Sequence, residues 1–205
     1  MRDVMTLLDF EVEAIKNGYT LVAGVDEVGR GPLAGPVVCA SVIMPLDDLI
    51  DGVDDSKKLS EKKRIAFSEL IKEKAIAYSI CEVDEKRIDE INILNATKEC
   101  MANAVNSLKQ KPEVLFVDAL KLDGVDESIK QQSIIKGDAK SYNIACASII
   151  AKVYRDNLMV EYGKHYPEYD FAQNKGYGTK KHIDAIKTYG ITPIHRKSFV
   201  KNFVE

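Results

Sequence analysis

Four carboxylates stand where they could hold a cation. Asp26 and Glu27 follow directly on the apolar run Leu21–Val25, Asp118 ends the run Val114–Val117, and Asp138 precedes a long apolar-rich segment. Short apolar runs bounded by polar residues read as buried strands. Side chains alternate faces along a strand, so Asp26 and Glu27 cannot both be solvated in the same ordinary way. At least one is driven inward, where a bare carboxylate is costly unless it meets a cation or a partner. If the strands ending in Asp26 and Asp118 are parallel neighbours, both acids emerge at the carboxyl edge of the sheet, where α/β proteins bind ligands. Converging acids raise one another's pKa unless a divalent ion neutralises them. Oxygen-only donors favour Mg²⁺ or Mn²⁺ over zinc, and two such ions suit phosphoryl transfer. Asp138 also has a plainer reading as a helix N-cap.

The next element is the turn Gly29-Arg30-Gly31-Pro32, whose two glycines allow another backbone or a ligand to come close. Gly29, Gly31 and Gly35 are spaced one residue too far for a dinucleotide-binding loop, and Pro32 and Pro36 oppose the helix that such a loop requires. No P-loop is present, which excludes the common nucleotide phosphohydrolases. Cys39, Cys81, Cys100 and Cys146 are far apart, and neither they nor His165, His182 and His195 show zinc spacing. Buried free thiols in a reducing compartment are expected.

These groups need a scaffold. The pattern predicts a short amphipathic helix over 4–17, strands near 21–27 and 36–44, and a Ser60-capped helix over 61–74 with Ile65, Leu70 and Ile71 on its apolar side. A strand over 75–83, helices over 84–91 and 93–109, and strands over 114–118 and 133–136 follow. A long helix from Ala139 to about Tyr162 carries a wide apolar stripe (Ile144, Ala147, Ser148, Ala151, Val153, Leu158), and a last helix covers 180–189. Strands followed by alternating helices argue for a mixed sheet with helices on its faces.

The chain has 205 residues, enough for one domain with its own core. No apolar stretch approaches the length of a membrane span, and the first residues lack a signal-peptide core, so a cytoplasmic protein is expected. The net charge of −3 argues against bulk electrostatic coating of nucleic acid. From Phe171 to Glu205, however, seven Lys or Arg face two acids. That basic flank reads either as a phosphate contact or as a solvated face.

Several stretches together resemble the ribonuclease HII family. They are Gly24–Val38, Asp55-Ser-Lys-Lys-Leu59, Lys136-Gly-Asp-Ala-Lys-Ser141, Ala147-Ser-Ile-Ile-Ala-Lys-Val153, Arg155-Asp156 and Asn174-Lys-Gly-Tyr-Gly-Thr179, in the family's order. The resemblance implies an α/β, ribonuclease H-like five-stranded mixed sheet flanked by helices, with a small C-terminal helical segment. It divides the chain into a helical extension (1–18), a catalytic core (19–168) and a basic segment contributing to substrate binding (169–205). It implies cleavage of the RNA strand of RNA–DNA hybrids and on the 5′ side of ribonucleotides embedded in duplex DNA, leaving a 3′-hydroxyl and a 5′-phosphate. Removal of ribonucleotides and RNA primers from DNA is the implied role.

By the same resemblance, Asp26, Glu27, Asp118 and Asp138 are catalytic and bind two divalent ions, Mn²⁺ or Mg²⁺, with Asp26 shared by both. Gly29, Arg30 and Gly31 read the 2′-hydroxyl, the only group that distinguishes RNA from DNA at one nucleotide. Tyr177 packs on the sugar after the ribonucleotide, and Lys57, Lys58, Lys175 and the basic tail hold phosphates, which position without specifying. The first strand is expected as early as residue 21, which favours this family over ribonuclease HIII with its N-terminal substrate-binding domain. The tail Ser198–Phe203 has two aromatics but no Gln at a sliding-clamp position, so a monomer without an evident protein partner or membrane contact is expected. A DNA-junction resolvase of the same fold would share the acids without needing the Gly-Arg-Gly turn or Tyr177. A non-catalytic hybrid-binding module would be expected to have lost one of the acids.

Overall fold

Strand β1, Val22–Val28, runs through the centre of a five-stranded sheet. In the computed structural model, which describes residues 4–204, β1 pairs antiparallel with β2 (Val37–Ile43), and β2 pairs antiparallel with β3 (Ala77–Val83). On its other side β1 pairs parallel with β4 (Val114–Asp118), which pairs parallel with β5 (Lys130–Ile134). The mixed sheet expected from the sequence is therefore present, in the order β3-β2-β1-β4-β5. All seven residues of β2 are buried, as its run of small and β-branched residues requires in a sheet covered on both faces. β5 begins before its predicted position, because its polar residues find partners. The Gln131 amide donates to the Leu122 carbonyl at 3.0 Å and accepts from the Leu122 N–H at 3.0 Å.

Helix α1 (Asp9–Lys16) follows a 3₁₀ turn over Val4–Leu7, where one continuous helix was expected. α2 (Glu61–Lys74) is capped by the Ser60 hydroxyl as predicted, but Ile71 is buried while Ile65 and Leu70 are partly exposed, at 45% and 40%. Only a narrow edge of α2 meets the core. α3 (Glu85–Asn106) covers one sheet face and breaks at Asn92 (φ 67°, ψ 164°), where two helices were expected to meet. The Asn92 side chain accepts from the N–H groups of Leu94 and Asn95, recapping the second half.

α4 (Tyr142–His165) lies against the other face. It starts at Tyr142 because the Ser141 hydroxyl accepts from the Ile144 N–H at 3.3 Å. Asp138 is therefore not the N-cap; it sits in the 3₁₀ turn Gly137–Ala139 just before. Instead of a stripe, every residue from Tyr142 to Ala151 is buried. The sheet covers one side of α4, and Ile71 with the N-terminal Val4, Leu7 and Leu8 covers another. Gly24 permits this closeness: a Cβ there would lie 2.3 Å from the backbone of Asn143 and Ile144. The α4 N-terminus is further held by Glu11, whose buried carboxylate accepts from the Ser141 hydroxyl at 2.6 Å and the Asn143 N–H at 3.1 Å.

Helices α5 (Phe171–Asn174), α6 (Lys180–Tyr189) and α7 (Lys197–Val200) form the C-terminal segment around Tyr169 and Phe171. Cys39, Cys100 and Cys146 are buried free thiols as expected, whereas Cys81 on edge strand β3 is half-buried. Among the described residues no helix is long and apolar enough to cross a membrane.

Candidate active site

The parallel register aligns Val25 with Val117, so Asp26 and Asp118 follow side by side at the carboxyl ends of β1 and β4. Asp26 is 6% exposed and shares the α4-facing side of β1 with Gly24, whereas Glu27 faces the other way and is half-buried. Asp26, Glu27 and Asp118 line one cleft of about 320 Å³ together with Ser56, Lys57, Ser148, Lys152 and Tyr177. The Asp118 carboxylate accepts from the Gly137 N–H at 2.8 Å, which pins the turn that carries Asp138. Asp138, 7% exposed, pairs with the Lys57 ammonium at 3.2 Å.

The electrostatics are those of uncompensated acids. Burial pushes the Asp26 carboxyl well above its ordinary value, and the charges of Glu27, Asp118 and Asp138 push it the same way. Glu27 is also raised by burial, partly offset by Arg30 at 3.4 Å. Asp118 is raised by burial against the opposing Gly137 bond. Among the described residues no three acids, histidines or cysteines already stand together at ligand spacing. The cleft is thus an open set of repelling oxygens rather than a closed ligand shell. These donors fit a hard divalent cation: all are oxygens, and neither His nor Cys lines the cleft. Lys57 is largely exposed, so its pair with Asp138 is worth at most about 1 kcal/mol and is readily exchanged.

The Gly29-Arg30-Gly31 turn lies beside these acids. Gly29 has φ +95°, and a Cβ there would strike Arg155, so only glycine suits it. Arg30 and Gly31 are exposed, and the open side of Gly31 faces the Tyr177 ring, 3.5 Å from where a Cβ would stand. Of the expected lysines, only Lys57 enters the cleft. Lys58 pairs with Asp54 at 3.3 Å, and the Lys175 ammonium turns back to the Ala172 carbonyl. Lys175 instead has a left-handed backbone (φ 52°) that turns the chain into Gly176 and Tyr177.

Several contributors lay in the family-like stretches but were given no role in the site from sequence. Ser148 and Lys152 reach the cleft from α4, and Asp156 anchors Lys152 at 2.6 Å. Their spacing at i, i+4 and i+8, which places them on one side of the helix, was the available signal. Ser148 also bonds the Ser56 hydroxyl at 2.7 Å, fixing the loop that carries Lys57.

Behind Tyr177 lies a buried histidine pair. The Thr192 N–H donates to His195 Nδ1 at 2.8 Å, which leaves the proton of neutral His195 on Nε2. That proton goes to His182 Nε2 at 3.0 Å, and His182 Nδ1 donates to the Tyr177 carbonyl at 2.9 Å. Burial holds both pKa values down, His195 to about 4. The signal His182…His195 has no local meaning in the sequence.

The family profile described as Ribonuclease HII matches residues 23–202. The chain is 60% identical over 195 residues to the ribonuclease HII of Acetivibrio thermocellus, covering 95% of this chain and 75% of that protein. It is 55% identical over 205 residues to that of Ruminiclostridium cellulolyticum, covering 100% and 80%. Among solved structures, the ribonuclease H2 of Pyrococcus horikoshii superposes with a TM-score of 0.75 at 31% identity, covering 90% of this chain and 97% of that one.

Proposed function

The chain belongs to the ribonuclease HII family, whose activity is that of a ribonuclease H, and we propose that it cuts the RNA strand of RNA–DNA hybrids and duplex DNA 5′ of an embedded ribonucleotide. The observation that carries this reading is the meeting in one cleft of strand-end acids from β1 and β4 with Tyr177 and the glycine turn. The proposed roles follow from position. Asp26, Glu27, Asp118 and Asp138 would hold two Mg²⁺ or Mn²⁺ ions, with Asp26 the central and most buried acid of the cleft edge. Bound there, such ions would supply water activation and charge stabilisation for the leaving oxygen, and the expected products are a 5′-phosphate and a 3′-hydroxyl.

The Arg30 and Gly31 N–H groups bind the 2′-hydroxyl, and the Tyr177 ring packs on the following sugar, where a deoxyribose fits closest. Lys57, whose side chain stays largely exposed in its pair with Asp138, would be able to turn to a phosphate. Lys152, held by Asp156, offers a second cation to the backbone. Removal of misincorporated ribonucleotides and of RNA primers is the corresponding role.

The test is an end-labelled duplex carrying one ribonucleotide, incubated with Mg²⁺ or Mn²⁺ and with wild type or Asp118→Asn. A metal-dependent cut 5′ of the ribonucleotide, absent in the variant and on all-DNA duplex, is expected. Cleavage of all-DNA duplex would instead assign a resolvase-like nuclease, and binding without cleavage a recognition module.

A further inference from the structure

Two arginines, Arg155 and Arg196, are fully buried, and both spend their guanidinium groups on backbone carbonyls of the chain that follows β1. Arg155 donates to the carbonyls of Pro36 (3.0 Å), Ala34 (3.1 Å) and Lys175 (2.9 Å), joining the loop after the glycine turn to the segment that carries Tyr177. Arg196 donates to the carbonyls of Gly35 (2.9 Å from Nε), Arg30 (2.9 Å) and Gly29 (2.5 Å). The backbone around Arg196 is itself tied to the same loop. Its N–H donates to the Leu33 carbonyl at 2.9 Å, Gly35 N–H donates to Ile194, and Ala34 bridges His195.

Arg196 thus grips the two peptide groups that flank Arg30. In a trans peptide the C=O and N–H point in opposite directions. With the Gly29 and Arg30 carbonyls drawn inward onto one guanidinium, the N–H groups of Arg30 and Gly31 are turned outward. Among the described residues neither of these N–H groups donates to an acceptor of the chain, and both residues are exposed. Two donors without an intrachain acceptor stand beside the acids and Tyr177, and held in place they can serve as a fork for one oxygen. An exposed turn containing two glycines would otherwise spend much of its time in other conformations. The guanidinium suits this task because it is planar, with five donors in fixed directions; a lysine ammonium offers three from one point.

We propose that Arg196 is a positioning residue for ribonucleotide specificity: it never touches the substrate, and it holds the Gly29–Arg30 and Arg30–Gly31 peptides so that their N–H groups meet the 2′-hydroxyl. This inference rests on the proposed reading of the turn. Burial, reinforced by the neighbouring Arg155, opposes the Arg196 charge, so a polar group this costly is held by the carbonyls it satisfies.

The test is binding, measured in an Asp118→Asn background to suppress cleavage, of a duplex with one ribonucleotide and of its all-DNA twin. Arg196→Lys is expected to weaken the ribonucleotide duplex by roughly 30-fold, the loss of two hydrogen bonds, and to leave the all-DNA affinity within about twofold. Arg155→Lys is the matched control: it alters an equally buried guanidinium that does not touch the Gly29 or Arg30 carbonyl, and it should keep the discrimination. A folded Arg196→Lys protein that discriminates like its parent overturns the inference while leaving the reading of the turn intact. A parent that binds both duplexes equally overturns that reading, and the inference with it. Should Arg196→Lys fail to fold, backbone relaxation on the DNA-free wild type decides. Order parameters near 0.85 for the Arg30 and Gly31 amides support a preset fork, and values below about 0.6 overturn it.

Discussion

Around one cleft, the acid edge of the sheet and the loop wrapped beside it handle buried charge in opposite ways. At the edge, Asp26, Glu27 and Asp118 are crowded and raised in pKa, with partial relief from Arg30, Lys57 and backbone N–H groups such as that of Gly137. In the loop, Arg155 and Arg196 are buried more deeply, yet their donors meet carbonyl oxygens from Gly29 to Pro36 and at Lys175. The histidine pair continues this pattern, each ring nitrogen having a partner. The contrast separates two tasks. Unrelieved repulsion is tolerable where, on the proposed reading, cations would relieve it, whereas a surface that must keep its shape before the substrate arrives has to be satisfied from within.

This contrast can be broken from either side. The largest effect should come from the acid edge: Asp118→Asn is expected to lower the cleavage rate by about 10³-fold or more, with the fold retained, in single-turnover assays at saturating metal. A loss below tenfold would remove Asp118 from the centre. On the satisfied side, Arg155→Met leaves the Ala34, Pro36 and Lys175 carbonyls without their donor. A cost of about 3 kcal/mol is expected, seen as a melting temperature lower by roughly 6–12 °C, with residual activity in whatever remains folded. An unchanged melting temperature would mean that water replaces the guanidinium.

Asp26→Asn sharpens the comparison by moving stability the other way. Without metal, the variant should be more stable than wild type by about 1 kcal/mol, since it removes a buried charge repelled by its neighbours. The stabilisation that wild type gains from added Mn²⁺ or Mg²⁺ should disappear in it. Thermal melts with and without metal decide this, and a metal-free variant less stable than wild type would show that Asp26 is already satisfied.

The smallest effect is proton-linked. His182 and His195 have folded pKa values below the unfolded value of 6.5. Above pH 6.5 both states leave these rings neutral, so no penalty exists. As the pH falls from 6.5 toward about 4 the unfolded chain takes up protons that the buried pair refuses, and stability declines. His195→Gln should therefore lose stability relative to wild type at pH 7 and recover part of that deficit at pH 5. Parallel melting curves across this window would mean that the pair is not held neutral.

The acids were legible because their signal is local. A carboxylate directly after a short apolar run marks a strand end, so the sequence offered two acids that would meet if their strands paired in parallel, and the observed register supplies that condition. The break at Asn92 and the cap at Ser60 were legible for the same reason, since capping is decided within four residues. The local pattern misled where neighbours in space took over. Ser141 outcompeted the helix start expected at Ala139, α4 is enclosed where a stripe was expected, and Ile65 and Leu70 find no core to enter.

What gives the turn its shape lay beyond any local reading. Arg196 reaches Gly29 across 167 positions and Arg155 reaches Pro36 across 119. In the sequence Arg196 is one basic residue among the 29 Lys and Arg of the chain, Arg155 stands in a family-like stretch that gives it no role, and basic residues are ordinarily solvated. The residue types and spacing along β1 and β4 were enough to say that acids would meet if the two strands lay parallel and adjacent. Only the packed chain decides which arginines turn inward, because a guanidinium is buried only where many distant carbonyls are already held in place to receive it.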